Sequence, residues 1–132
     1  MDEHLVQQIT EAASEVHRLL GGPGLLEAVY ESALCYELSL RGIRSQRQLA
    51  IPVIYKGAFV REPMFLDILV DDKLIIEVKA TGKDYPLYRV QLSTYMRLLG
   101  IKLGLLINFG KTSMQDGVVQ VMHEEMVYAP SR

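Results

Sequence analysis

Residues 64–81, MFLDILVDDKLIIEVKAT, set three charged side chains inside two apolar runs. The runs are rich in Ile, Leu and Val and flank Asp71-Asp72-Lys73, the pattern of an antiparallel hairpin whose strands are largely buried. Asp67, Glu77 and Lys79 interrupt them. Charged side chains are almost never fully buried unless paired or bound to a metal, so three in one hairpin require a cause. Glu77 and Lys79 are two apart and share a face, because side chains alternate along a strand. Whether Asp67 joins them depends on the loop. Directly opposed residues of an antiparallel pair have a constant index sum and point to the same face. A two-residue loop at Asp71-Asp72 pairs Val70 with Lys73 and sets Asp67 opposite Ile76. A three-residue loop pairs Val70 with Leu74 and sets Asp67 opposite Glu77. An odd-numbered loop or an equivalent bulge is therefore expected, bringing two carboxylates and a lysine together.

Two close carboxylates repel unless one holds a proton or a cation lies between them. Oxygen ligands of this kind suit Mg²⁺ or Mn²⁺, with water and a substrate phosphate completing the shell. The other reading is a buried Asp/Glu/Lys ion-pair cluster that perturbs only its own pKa values. The hairpin alone leaves both open.

A chain of 132 residues has room for one domain, 1–132, and a real core, but little for a second. No apolar run approaches the ~20 residues that cross a bilayer, and the acidic, polar start MDEHLVQQ is unlike a secretory signal. No membrane role and a cytoplasmic location are the default expectations. Cys35 is the single cysteine, which excludes an intrachain disulfide and a cysteine-rich zinc site. A net charge of −2 argues against a protein that coats nucleic acid through a broad basic surface. Any basic footprint must be a local patch. Arg41, Arg44 and Arg47 form the densest group, read as solvated surface charge, and Lys79, Lys83, Arg89 and Arg97 form the second.

Along the chain, Leu5, Ile9, Ala12, Ala13, Val16 and Leu19 recur at helical spacing over residues 4–20, ended by Gly21-Gly22-Pro23-Gly24. His17 lies in the last turn, where the helix dipole favours it, with a ligand role as the lesser alternative. A second helix is expected over 25–40, closed by Gly42 in a left-handed cap. In it Glu27, Tyr30, Glu31 and Leu34 lie within three- and four-residue reach of one another. Residues 46–55 read as a strand, with Pro52 suggesting an edge position. A third helix starts at Pro86 and stops at Gly100, stacking Gln91 and Tyr95 on one face. The run 103–109, LGLLINF, fits a strand covered on both faces, and a loop 110–117 leads to a short strand 118–122 and a polar tail. The class is α/β with a mixed central sheet flanked by helices. The strand that follows the third helix should run parallel to one of the earlier ones.

Gly24 to Tyr30, GLLEAVY, spells GxxExxY, and its continuation YESALCYELSLRG, then LDILV, IIEVKA, QLSTYMRLLG and LGLLINFG, resembles the bacterial GxxExxY protein family over roughly residues 17–119. That family is similar in fold to the PD-(D/E)XK nucleases, so the resemblance implies a restriction-endonuclease-like core and a Mg²⁺- or Mn²⁺-dependent nuclease that hydrolyses phosphodiester bonds of DNA, or of RNA. It implies that Glu27 is the helical acid near the metal, and that Asp67 and the triplet Glu77-Val78-Lys79 form the central signature. Gln91 and Tyr95 resemble a QxxxY element placed over the site. Tyr88 and Arg89 stand where relatives often carry His and Glu. The roles implied are catalytic for Glu27, Asp67, Glu77, Lys79, Gln91 and Tyr95, and metal-binding for Glu27, Asp67, Glu77 and the Val78 carbonyl. The alternatives are a nucleic-acid- or protein-binding module that keeps the fold without cleaving, and a structural partner acting as a homo-oligomer.

Overall fold

The structure is a computed structural model that describes residues 2–122. Its first helix, α1 (Glu3–Leu20), buries Leu5, Ile9, Ala12, Ala13 and Val16, the stripe that its apolar periodicity marks. The second, α2 (Glu27–Leu40), starts two residues later than expected, because Leu26 is extended at φ −69° and ψ 151°. Gly42 follows it at φ +76°, the left-handed cap read from the sequence. Tyr30 ties the two helices together: its hydroxyl donates to the Gly21 carbonyl at 2.7 Å, and its ring stacks on Phe109 at 4.7 Å.

The long hairpin of β1 (Ser45–Tyr55) and β2 (Ala58–Val70) closes on Lys56-Gly57. Both residues have positive φ, +52° and +81°, as a two-residue turn matching the strand twist requires. β2 thus begins well before residue 64 and runs through Pro63. The facing register slips between Ile51 and Val53, around Pro52, and β1 is an edge strand as that proline suggested. β3 (Leu74–Lys79) follows a three-residue loop. The pairs Val70↔Leu74, Leu69↔Ile75 and Ile68↔Ile76 are those of the odd-numbered loop.

The third helix, α3 (Pro86–Leu99), has Pro86 in its first turn and the left-handed Gly100 at its end. It leads to β4 (Leu103–Asn108), buried throughout and parallel to β3 as expected. Within the expected loop 110–117 the chain makes a short helix, α4 (Met114–Gly117), whose start is capped by Ser113 Oγ accepting from the Gln115 N–H at 3.1 Å. β5 (Val118–Met122) then pairs antiparallel to β4. The expected polar tail lies outside the described residues. Five strands in the order β1-β2-β3-β4-β5 make one mixed sheet.

Each face of the sheet carries its own core. α1 and α2 pack with Ile68, Val70, Ile76, Val78, Leu105 and Ile107, and α3 packs through Leu92 and Met96 with Leu66, Leu69, Ile75 and Leu106. Gly104 permits the close approach of α3, since a Cβ there would stand 2.7 Å from Met96 Sδ and 3.0 Å from Leu92 Cδ1. Among the described residues no helix is long and apolar enough to cross a membrane.

Candidate active site

Backbone pairing between β2 and β3 runs from Val70↔Leu74 to Ile68↔Ile76. The next pair in register is Asp67 and Glu77, and there the side chains take over from the ladder. The Asp67 N–H donates to Glu77 Oε2 at 3.0 Å, and the Val78 N–H donates to Asp67 Oδ2 at 2.7 Å. Each carboxylate thus satisfies a backbone donor of the opposite strand where the two strands part. The partner strand is irregular at the same level. β1 pairs with β2 at Arg47↔Ile68 and Leu49↔Leu66, and Gln48 between them has φ +52°. Ile68 packs under α1 and α2 whereas Leu66 packs under α3, so strict alternation breaks at Asp67. The register expected from the loop holds, while the two carboxylates meet through this break and not as side-by-side neighbours on an unbroken ladder.

α2 adds a third carboxylate. Glu31 is only 3% exposed and accepts from Arg47 Nε at 3.0 Å and from Gln48 Nε2 at 2.8 Å. Burial raises the pKa of all three acids. Glu77, 6% exposed, is pushed up to about 8, first by burial and then by the charge of Asp67. Burial also raises Asp67, opposed by the Val78 N–H and by the charge of Lys79. Burial raises Glu31, opposed by the Gln48 hydrogen bond, with the Asp67 charge adding to the rise. Tyr95 on α3 is raised by burial and then by the charges of Glu77 and Asp67, which places its phenol in the field of the pair.

Lys79 is half-buried, and its charge reaches both Asp67 and Glu77. Its Nζ lies over the Tyr88 ring, 4.5 Å from the centroid. Gln91, one helical turn before Tyr95, is exposed. Glu27 is the first residue of α2 and exposed, one turn before Glu31. The structure therefore gathers Asp67, Glu77, Lys79 and Tyr95, leaves Gln91 and Glu27 on the surface, and shows Val78 through its N–H. His17 is not part of the group: its Nε2 is 2.8 Å from the Lys111 carbonyl.

Two residues of this neighbourhood go unsignalled by any motif. Glu31 is one; its place on the same helical face as Glu27 was the available hint. Asn108 is the other, the lone polar residue of an apolar run, standing beside Lys79 in the β3–β4 register. Its Oδ1 accepts from the Thr81 N–H at 3.1 Å and the Gly110 N–H at 2.9 Å, tying together the segments that leave β3 and β4.

The donor set suits a hard divalent cation. It is oxygen only, it is desolvated, and its acids carry raised pKa values that a cation would lower. Asp67 and Glu77 each commit one oxygen to a backbone N–H, and Asp67 also hydrogen-bonds with the side chains of Gln48 and Glu31. Among the described residues no three acidic, imidazole or thiol side chains already form a shell, which for Mg²⁺ would leave water and substrate to complete it.

A mixed five-stranded sheet flanked by helices is the α/β core of the restriction-endonuclease-like class. The chain belongs to the PD-(D/E)XK nuclease superfamily, whose family model matches residues 3–121. That membership brings a nuclease-type function and a nucleic-acid substrate, and nucleases of this superfamily typically use divalent metals. Among solved structures, one described as the crystal structure of SSO0001 is similar over 93% of this chain and 80% of that chain, at 13% identity and a TM-score of 0.41. The search of curated proteins found no match.

Proposed function

We propose that this domain is a divalent-metal-dependent nuclease that hydrolyses phosphodiester bonds of DNA or RNA. The observation that carries the reading is the reciprocal meeting of Asp67 and Glu77 at the break between β2 and β3, with Glu77 pushed up to about 8. A site that holds an acid so far above its ordinary range invites a cation in place of the proton. Asp67 and Glu77 would hold Mg²⁺ or Mn²⁺ with the Val78 carbonyl. Glu31 is the α2 acid within their field, and Glu27 at the rim would contribute through water. When bound, the ion would shield phosphate charge and lower the pKa of a water. Lys79 would orient that water or stabilise charge developing on the phosphorane, its amine exchanging the Tyr88 face for the substrate phosphate. Tyr95 and Gln91 would steady Lys79 or the substrate by hydrogen bonding.

The test is cleavage of single- and double-stranded DNA and of RNA with Mg²⁺ and with Mn²⁺, comparing wild type, Asp67→Ala and Lys79→Ala. Each substitution is expected to lower the rate by about 10²–10³-fold. Equal rates in all three proteins would end the catalytic reading.

One observation favours a second reading, a module that binds nucleic acid without cutting it. The amine of Lys79 rests on Tyr88 and not against the carboxylates. Metal-independent DNA binding without turnover in the wild type would select it.

A further inference from the structure

The flank of α3 that faces β5 forms a groove of about 530 Å³ whose lining includes Arg89, Ser93, Thr94, Arg97 and Gln120. Arg89, Ser93 and Arg97 recur every four residues and so stack along one flank. Two guanidinium groups, two hydroxyls and an amide face a single channel, and no carboxylate lines it among the described residues. Four arginines elsewhere have carboxylate partners, Arg18 with Glu15, Arg41 with Glu37, Arg44 with Asp72 and Arg47 with Glu31, while Arg61 Nε donates to the Glu62 carbonyl. The dense Arg41, Arg44 and Arg47 group is thereby neutralised. On α3 the balance differs. Arg89 pulls on Asp84, whose carboxylate is already taken by Lys111 Nζ at 2.9 Å, and no carboxylate is paired with Arg97 among the described residues.

From these observations we infer that the α3–β5 groove is a phosphate-backbone site for the nucleic-acid strand whose scissile bond lies at Asp67 and Glu77; the inference rests on the nuclease reading above. Tyr88 covers Lys79 on one flank of α3, and Arg89, the next residue, is turned by about 100° onto the other. The residue that contacts Lys79 and the first arginine of the groove are thus consecutive residues of one helix. Arg89 and Arg97 lie about 12 Å apart along the helix axis, eight residues at 1.5 Å each. At that separation the two guanidinium groups reach different phosphates of one strand. Guanidinium forks match phosphate oxygens in bidentate geometry. A chain of net charge −2 has no protein-wide field to attract a polyanion, so the hold on the strand must be local, and this groove supplies it.

The test measures binding of a fluorescent 12-nucleotide single strand to the wild type and to its variants in EDTA, over a range of salt. Arg89→Gln and Arg97→Gln should each weaken binding several-fold and reduce the slope of log K against log salt by roughly 0.7. Arg89→Lys and Arg97→Lys should keep the slope, since the charge stays. Unlabelled oligonucleotide should compete far better than inorganic phosphate at equal phosphate concentration. Slopes unchanged by both Gln substitutions would overturn the assignment, as would inorganic phosphate competing equally, which would mark a small-anion site. The two readings fail separately. Altered slopes in a protein that never cleaves would keep the groove and remove the nuclease. Cleavage by a wild type whose binding ignores both arginines would do the reverse.

Discussion

Glu77 concentrates the electrostatic cost of this fold in one side chain. In the folded protein it holds its proton up to about pH 8, against 4.5 for an ordinary glutamate, so between those values the native state binds more protons than the unfolded chain. Stability therefore falls as pH rises through that window, and Asp67 and Glu31, raised as well, steepen the fall. Urea unfolding in EDTA should show the free energy dropping by on the order of a few kcal/mol between pH 5 and 8. Glu77→Gln keeps an oxygen for the Asp67 N–H and should flatten most of this dependence, making the metal-free protein more stable than wild type at pH 8. A pH profile as steep as the wild type's would contradict the assignment of the proton to Glu77. Asp67→Ala removes the charge that ranks second among the causes raising Glu77. The Glu77 titration, followed by carboxyl NMR, should move down yet stay above 4.5, because burial, the first cause, remains.

At the level of elements, α3 sets the height of Tyr88 and Tyr95 above the cluster, and Gly104 sets the height of α3. Gly104→Val would drive branched carbons into Leu92 and Met96, both fully buried, and should destabilise the domain by about 1–3 kcal/mol. Because the same shift lifts the two tyrosines, cleavage should fall further than thermal stability alone accounts for, checked by rate and melting temperature below the transition. The elements themselves were largely legible from pattern: helical spacing marked α1, Pro86 and Gly100 marked the two ends of α3, and an unbroken apolar run marked β4. Asp67 and Glu77 could be set opposite each other because loop parity is a matter of counting. Glu31 could not be separated from Glu27, since both lie on one helical face and only tertiary burial distinguishes them. Nor does a glutamine announce a left-handed backbone, so the irregularity at Gln48, and with it the break at Asp67, left no mark in the sequence. The helix α4 is a single turn of four residues, too short for any periodicity to show.

For the molecule as a whole, the acidic cluster makes folding and cation binding one linked equilibrium. An ion that binds the native site and not the unfolded chain stabilises by RT ln(1 + [L]/Kd), about 2.7 kcal/mol at one hundred times Kd. The gain should be larger at pH 8 than at pH 5. At pH 5 the ion must displace the proton of Glu77, whereas near pH 8 that proton is half gone. Thermal melts of the wild type with and without Mg²⁺ or Mn²⁺ should therefore separate by several degrees at pH 8 and by less at pH 5. Asp67→Ala should show no separation at either pH, while Arg97→Gln, distant from the cluster across α3, should behave as wild type. Equal shifts in Asp67→Ala and wild type would place any bound ion elsewhere on the chain.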